Sequence, residues 1–282
     1  MAFSFEDKLF EEDSPYSSLI VDALNLAFRW KHQGRSDFRY EFEGTVQSLA
    51  KSYDTDRIII AADWGSSSYR KIISKDYKQN RREKFAEQTE EERIAFEEFF
   101  EEFEASLEVM EESGYTVLRY KGVEADDVAG HLVKYKDKYQ LGNIWLISSD
   151  RDWDLLIQEG VSRFSYVTRK EVTLENWSSH YDCAPEQYIS VKCLMGDKGD
   201  NVAGFPGIGP KRAVSLVKAY GSAYDIYEAV PIDSKYKFIQ GLNENPEQIL
   251  KNYELMDLLT YCDDALGVTN FKDIQGRMLD GL

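Results

Sequence analysis

Three apolar runs, each closing on an aspartate, are the clearest hydrophobic features of the chain. They cover residues 19–22, 58–63 and 144–150. Continuous runs rich in β-branched residues are typical of strands buried on both faces, as in parallel sheets covered by helices. A segment rich in aromatic residues follows the first run and predicts a packed helix. The sequence therefore predicts an α/β fold with a central, largely parallel (mixed) sheet flanked by helices.

The aspartates that end these runs are Asp22, Asp63 and Asp150. Ligands of open parallel sheets bind beyond the carboxyl ends of the strands, so three carboxylates are expected at one edge. Aspartate is also an ordinary turn former, which would explain a single case. Three such strand ends together favour a binding site.

A crowded acidic group, Glu124, Asp126 and Asp127, stands just before apolar positions with helical spacing, among them Val128 and Leu132. This spacing predicts the first turn of a helix with a buried face. The helix macrodipole favours carboxylates there, and one of them can cap the helix. Taken alone, the group is better explained as an ordinary helix start than as a metal site.

Two further acidic pairs complete the set. In an extended chain the side chains of Asp150 and Asp152 point to the same side, because side chains alternate along a strand. Asp197 and Asp200 are three residues apart, so a turn or a helix places them on one side as well. Nine carboxylates are thus predicted to hold metal: Asp22, Asp63, Glu124, Asp126, Asp127, Asp150, Asp152, Asp197 and Asp200. Their mutual repulsion requires cations, and ligands that are all oxygen suit Mg²⁺ or Mn²⁺. Two such ions about 4 Å apart can activate a water and stabilise the leaving oxygen of a phosphodiester.

The net charge of −17 argues at first against nucleic acid as a partner. The acidity is local, however, because residues 87–112 hold twelve acidic residues and one basic residue. Residues 70–84 hold seven basic and two acidic residues, with Tyr69 and Tyr77 beside them. Basic residues interleaved with aromatics suit a nucleic-acid strand, and a solvated basic loop is the alternative. The apolar positions of residues 94–110 predict a helix with one packed face.

A glycine-rich segment over residues 204–213 follows the last acidic pair. Pro210 marks the start of a predicted helix, whose backbone amides form an anion cradle with Lys211 and Arg212. The segment lacks the Lys-Ser or Lys-Thr of a P-loop, which disfavours nucleotide hydrolysis.

Chain length, apolar runs and cysteine content limit the number of domains, the cellular compartment and the type of metal that we expect. Its 282 residues suffice for one large or two modest domains, and no apolar run approaches the length of a membrane span. The acidic N-terminus shows no signal peptide, so we expect a cytoplasmic rather than a secreted protein. Three cysteines without a Cys-x-x-Cys spacing argue for free thiols and against zinc.

Six segments in order resemble one family: residues 19–22, 77–81, 122–127, 149–152, 195–201 and 204–213. Through them the chain resembles the 5′-nuclease (flap endonuclease) family, and is most similar to its bacteriophage 5′-3′ exonuclease members. The resemblance implies a metal-dependent, structure-specific hydrolase of phosphodiester bonds at 5′ flaps and 5′ ends of DNA, acting in replication or repair. It also implies a helical arch at about residues 70–112 and a helix-three-turn-helix that binds duplex DNA.

The resemblance further implies roles for individual residues. The nine acids would hold two or more Mg²⁺ ions, with Mn²⁺ as a substitute, and K⁺ would bind at the helix-three-turn-helix. Catalytic roles are implied for Tyr77, Lys78 and Arg81, with Lys78 stabilising the scissile phosphate. The expected DNA contacts are Arg70, Lys75, Lys84, Gly207, Gly209, Lys211, Arg212 and Lys218.

The expected organisation has three parts: an acidic leader (1–16), a nuclease core with the arch (17–185), and the helix-three-turn-helix with a C-terminal helical region (186–282). The expected substrate is DNA with a 5′ flap or single-stranded 5′ arm beside a duplex. We expect a monomer whose partners are a replication polymerase or a single-strand-binding protein. A related metal-dependent ribonuclease and a non-enzymatic DNA-binding replication factor are the alternatives. An aspartyl phosphomonoesterase would need a second aspartate where Leu24 stands.

Overall fold

A six-stranded sheet forms the centre of the computed structural model, which describes residues 16–55 and 57–280. Its strands are β1 (Ser17–Asp22), β2 (Arg57–Ala62), β3 (Thr116–Arg119), β4 (Asn143–Ile147), β5 (Val161–Ser165) and β6 (Lys170–Val172). They lie in the order β3-β2-β1-β4-β5-β6, and only β6 runs antiparallel to its neighbour. The predicted largely parallel, mixed sheet is confirmed. The predicted acidic leader, except for Tyr16, lies outside the described residues.

The apolar run of β1 shows why the sheet is buried on both faces. Leu19 and Val21 contact the core on one face and Ile20 contacts the core on the other, and all three side chains are fully buried. Because strand side chains alternate, a continuous apolar run can only be satisfied between two layers of helices.

Twelve α-helices surround the sheet or extend from it within the described ranges. They are α1 (Ala23–Lys31), α2 (Arg39–Ser52), α3 (Ser68–Ile73), α4 (Gln79–Ala86), α5 (Glu90–Glu112), α6 (Ala125–Lys134), α7 (Tyr188–Met195), α8 (Pro210–Tyr220), α9 (Ala223–Glu228), α10 (Lys237–Glu244), α11 (Glu247–Met256) and α12 (Cys262–Leu279). One face of the sheet packs on α1, α2 and α5, and the other packs on α6 and α12.

The region predicted as an arch consists of α3, α4 and α5. Thr89 and Glu92 form a capping box that begins α5, in which each side chain accepts a hydrogen bond from the backbone amide of the other residue. Phe99 and Phe103 of α5 are buried while most of its glutamates are exposed. The predicted packing face of this acidic helix is therefore confirmed.

The third apolar run forms a shorter strand than predicted. Strand β4 ends at Ile147, and Asp150 instead caps a 3-10 helix (Arg151–Leu156) by accepting a hydrogen bond from the amide of Asp152 at 2.9 Å. The capping bond fixes both aspartates in a turn rather than in an extended strand. The two side chains were predicted to point the same way because of an extended strand, but it is this turn that brings both to the cavity.

The C-terminal helices α7 to α11 enclose a further hydrophobic core, to which Tyr77, Ile157 and Val172 also contribute. A short antiparallel pair, β7 (Gly196–Asp197) and β8 (Val202–Ala203), follows α7 and leads into the glycine-rich loop. Helix α8 begins at Pro210, as predicted, and α12 then returns to pack against α6. No helix in the described ranges is both long enough and apolar enough to cross a membrane.

Candidate active site

Seven of the nine predicted acids line one cavity of about 310 Å³. They are Asp22, Asp63, Asp126, Asp150, Asp152, Asp197 and Asp200. The cavity lies beyond the carboxyl ends of β1, β2 and β4. Strand β1 lies between the other two, and at such a position the chain crossovers of an open sheet leave a crevice. The tertiary fold thus gathers side chains from distant segments at the predicted edge.

Asp22 is fixed at the end of β1 by two hydrogen bonds. Its carboxylate accepts from the amide of Asn25 at 3.2 Å, which caps α1, and from the hydroxyl of Ser148 at 2.7 Å. Burial and the nearby charge of Asp63 raise the pKa of Asp22 well above its ordinary value. Its ionised form is therefore costly without a cation nearby.

Asp63 caps α6 from outside the helix. Its carboxylate accepts a hydrogen bond from the amide of Ala125 at 3.1 Å. Glu124 occupies the N-cap position, but its side chain makes no capping bond. The expectation that an acid of the crowded group caps this helix is therefore replaced by a long-range cap. Burial and the charge of Glu124 raise the pKa of Asp63 to about 6.

Asp126 and Asp150 face the cavity from the first turn of α6 and from the 3-10 helix. The indole of Trp153 donates to the Asp126 carboxylate at 2.6 Å, which fixes its orientation. Burial and the charge of Asp150 raise the pKa of Asp126 well above its ordinary value. Burial and the charge of Asp152 likewise raise the pKa of Asp150.

Asp197 organises the turn between β7 and β8. Its Oδ1 accepts from the amides of Gly199 at 2.7 Å and Asp200 at 3.2 Å. Lys192 of α7 is ion-paired with Asp152 and lies 3.5 Å from Asp197, so it links two segments of the cavity wall.

The positive side of the cavity comes from the residue that precedes α4 and from the first turn of that helix. The ammonium of Lys78 lies 2.8 Å from Glu124 and 3.7 Å from Asp200, and Arg81 pairs with Asp200 at 2.6 Å. The hydroxyl of Tyr77 lies 2.9 Å from Glu124 and 3.0 Å from Asp200. Burial raises the pKa of Glu124, but Lys78 and then Arg70 outweigh it and bring that pKa to about 2. Glu124 is therefore a permanent anion that holds Lys78.

Asp127 and Arg70 are not where the sequence predicted them. The two guanidinium nitrogens of Arg70 donate to the two carboxylate oxygens of Asp127 at 2.7 and 2.8 Å, and both side chains are buried. The remaining Nε of Arg70 donates to the carbonyl of Leu255 at 2.8 Å. Asp127 does not line the cavity, and Arg70 is not accessible to a strand. The physical reason is that a buried charge needs a partner, and each satisfies the other.

The other predicted DNA contacts are surface groups. Lys75 is exposed before α4 and Lys84 is exposed on it, and Lys211, Arg212 and Lys218 are exposed on α8. Gly207 and Gly209 are exposed in the loop before α8. Gly207 has a φ of 80°, which favours glycine, and its carbonyl accepts from Arg212 at 2.6 Å.

Three residues of the site were not predicted from the sequence: Ser148, Trp153 and Lys192. The sequence offered a signal for Lys192, because it is the single charged residue of α7, whose other residues are mostly apolar; in the structure it is buried. Ser148 and Trp153 adjoin predicted ligands, but serine and tryptophan in a strand-helix connection indicate no particular role.

A second compact group of potential metal ligands, outside the cavity, joins α6 to α12. His131, Cys262 and Asp263 place potential ligand atoms within 4.8 Å of one another. Both ring nitrogens of His131 are already engaged, with Asp263 and with the hydroxyl of Tyr139, each at 2.8 Å. The group is thus an internal hydrogen-bond network that joins α6 to α12.

The cavity residues fit divalent cations. Every charged group that could serve as a ligand there offers oxygen, and burial is the largest cause of the raised pKa values of Asp22, Asp63, Asp126, Asp150 and Asp200. A cation would relieve both the burial and the repulsion of these carboxylates. Oxygen ligands in this number suit Mg²⁺ or Mn²⁺ better than zinc.

Comparison with known proteins gives consistent matches along the chain. Residues 17–182 match the family model described as 5′-3′ exonuclease, N-terminal resolvase-like domain, and residues 183–276 match the 5′-3′ exonuclease, C-terminal SAM fold. A flap endonuclease of Escherichia phage T5 is 41% identical over 263 residues, which are 93% of this chain and 90% of that protein.

Two solved structures from bacteriophage T5 resemble the fold, each with a TM-score of 0.88 and 39% identity over 94% of this chain and 98% of the other. One is a flap endonuclease in a pseudo-enzyme–product complex with DNA and metal ions. The other is a 5′-exonuclease with bound divalent metal ions, namely zinc.

Proposed function

The chain belongs to the 5′-3′ exonuclease family and is a metal-dependent, structure-specific 5′-nuclease, and from this premise we propose that it uses Mg²⁺ to hydrolyse DNA at 5′ flaps and 5′ ends. The observation that carries the proposal is the single cavity in which seven carboxylates face Lys78 and Arg81. A DNA-binding factor without activity has no use for so many converging acids.

The proposed ligands are the seven cavity aspartates, several of them acting through water. Divalent ions bound there would supply an activated water and neutralise charge on the leaving oxygen. Mn²⁺ is expected to substitute for Mg²⁺ because both accept oxygen ligands. We leave Glu124 and Asp127 out of this set, because they hold Lys78 and Arg70.

Lys78 and Arg81 are proposed to hold the scissile phosphate. Although burial lowers the pKa of Lys78, the carboxylates of Glu124 and Asp200 raise it above its ordinary value, so the ammonium stays protonated. A fixed positive charge at a phosphoryl oxygen stabilises the charge that develops in the transition state. Tyr77 is proposed to position Glu124 and Asp200 through its hydroxyl.

Duplex DNA is proposed to bind at the loop of residues 204–209 and at α8. Lys211, Arg212 and Lys218 would contact phosphates without reading sequence, and Lys75 and Lys84 would contact the 5′ strand. An open cavity of about 800 Å³ along the loop leaves room for the duplex backbone. A K⁺ ion held by loop carbonyls is also part of this proposal.

We propose that the protein acts as a monomer in the cytoplasm of a bacterial or phage-infected cell, alongside a replication polymerase or single-strand-binding protein. The proposed division places the nuclease core in residues 17–185 and the duplex-binding region in residues 186–282. The relatives from a phage support this setting.

Cleavage of a labelled 5′-flap duplex in Mg²⁺ tests the proposal. Asp126→Asn keeps the size of the side chain but removes a proposed ligand, so we expect cleavage to fall by about 100-fold or more. The matched control is Asp137→Asn, because Asp137 has a side chain that is 93% exposed. Equal activity of the two variants would contradict the metal assignment, and cleavage of an RNA flap alone would favour a ribonuclease.

A further inference from the structure

A second cavity, of about 540 Å³, opens beside the acidic cavity. The two share Leu24, Asp63, Lys78 and Arg81 in their walls, so they are contiguous. The second cavity lies between the carboxyl end of β2 and helices α4 and α5. Its walls differ in kind, because aromatic rings and arginines replace most of the acids.

Trp64 is the most unusual residue of this wall. It is the one exposed member among the five tryptophans, all of which lie in the described ranges, and its exposed fraction is 49%. Its backbone is nevertheless held on both sides. The amide of Trp64 donates to the carbonyl of Val123 at 3.3 Å, and its carbonyl accepts from the amide of Gly122 at 2.7 Å. A large apolar ring is thus presented to solvent from a fixed position.

The ring is also supported from behind. The guanidinium of Arg119 lies over the indole, 5.1 Å from the ring centroid. Arg119 is itself held by an ion pair with Glu104 and by a hydrogen bond from its Nε to the carbonyl of Asp63 at 3.3 Å. One face of the indole is therefore covered by a fixed cation, and the exposed part is left for another flat group.

The opposite wall adds a second exposed ring and further positive charge. Phe85 of α4 is 42% exposed and packs edge-on against Phe96, with ring centroids 5.4 Å apart. Arg81 and Arg82 stand on the same wall. Aromatic faces with arginines beside them favour a ligand that joins flat rings to phosphates, which is the chemistry of a nucleotide strand.

We propose that this cavity binds one unpaired base of the 5′ strand, next to the scissile phosphate, by stacking it on Trp64. The inference rests on the proposed function, because only a flap or frayed end offers such a base. The strand then runs from the stacked base past Arg81 to the acidic cavity. Trp64 is in this way a positioning residue, since it orients the strand and does not touch the reacting atoms.

The test is a comparison of two flap substrates that differ by one base. In the first substrate, the based substrate, every nucleotide carries its base. The second has an abasic residue at the flap nucleotide next to the junction. For Trp64→Ala, kcat/KM on the based substrate should fall about tenfold, mainly through KM, and Trp64→Phe should keep most of it. On the abasic substrate the wild type and Trp64→Ala should be equal. Tyr40→Ala, which removes another exposed ring, is the matched control and should change neither.

Equal losses of Trp64→Ala on both substrates, or no loss on either, would overturn the inference. A second readout does not need cleavage: 2-aminopurine at the same position should be quenched on binding to the wild type in chelator, and less by Trp64→Ala. Thermal unfolding checks that the variants fold. If the wild type cleaves neither substrate, the proposed function fails; if it cleaves both equally well, only the stacking site fails.

Discussion

Arg70 and Asp127 show that a single contact can decide the role of a residue. The resemblance to a nuclease family implied a role for each of them, Asp127 as a metal ligand and Arg70 as a contact to the substrate. In the structure they neutralise each other in a buried, bidentate ion pair 57 residues apart in sequence. Such a pair adds little net stability, but either partner alone is a severe liability.

Replacing one partner should therefore damage the fold rather than the DNA affinity. We expect Arg70→Met to lower the free energy of unfolding by about 3–5 kcal/mol, because Asp127 is left buried and unpaired. The double variant with Asp127→Leu should recover at least half of that loss. Urea unfolding in chelator measures both values, with Lys71→Met on the same helix as the control.

A different result would restore the prediction from the sequence. If Arg70→Met unfolds like the wild type but binds the flap substrate weakly, then Arg70 serves the DNA and the ion pair is incidental.

Helix α6 connects the active site to the C-terminal part of the molecule. Its first turn carries Asp126 into the cavity, and its second half packs against α12 and the segment just before it. Gly130 makes this approach possible, because a Cβ there would lie 2.1 Å from the carbonyl oxygen of Leu258. The hydrogen bond between His131 and Asp263 also holds α6 to α12.

Adding one methyl group at Gly130 should push α6 away from its support. We expect Gly130→Ala to cost about 1–3 kcal/mol of stability and to reduce turnover, because Asp126 moves with the helix. The matched control is Gly241→Ala on α10, where no heavy atom lies within 4 Å of the added Cβ. That control should gain about 0.5–1 kcal/mol from helix propensity. Similar melting temperatures for the two variants would show that α6 is not clamped.

The active site destabilises the whole molecule through electrostatic repulsion. Seven carboxylates share one cavity in a protein whose net charge is already −17. Because burial raises the pKa of Asp63 to about 6, the folded state binds its proton more tightly than the unfolded state does. The stability that this group contributes is therefore complete below about pH 4 and is lost as the pH rises through 6.

The direction of this pH dependence of stability can be measured with the Asp63→Asn variant in chelator. The variant has no charge to bury, so at pH 7.5 it should be more stable than the wild type by about 1–3 kcal/mol. The difference should disappear near pH 4, where Asp63 is protonated in both states. Excess Mg²⁺ at pH 7.5 should stabilise the wild type more than the variant. A difference that grows as the pH falls would contradict the direction of the pKa shift.

Much of the fold and of the site could be predicted because the information is local. The apolar runs predicted β1, β2 and β4, since a strand buried on both faces can tolerate few polar residues. Asp22 and Asp63 were predicted at the cavity because strand ends of a parallel sheet meet at one edge. The glycine-rich segment predicted the start of α8 at Pro210, since proline fits the first turn of a helix.

The partner of each charged group was decided only by the tertiary structure. Asp126 and Asp127 are neighbours in one helical turn, yet Asp126 faces the cavity and Asp127 faces Arg70. The sequence cannot separate them, because the direction of each side chain depends on which distant element packs beside it. The same holds for Trp64, whose exposure depends on α4, α5 and Arg119. Residue types predicted the chemistry of this protein, and packing selected the side chains that carry it.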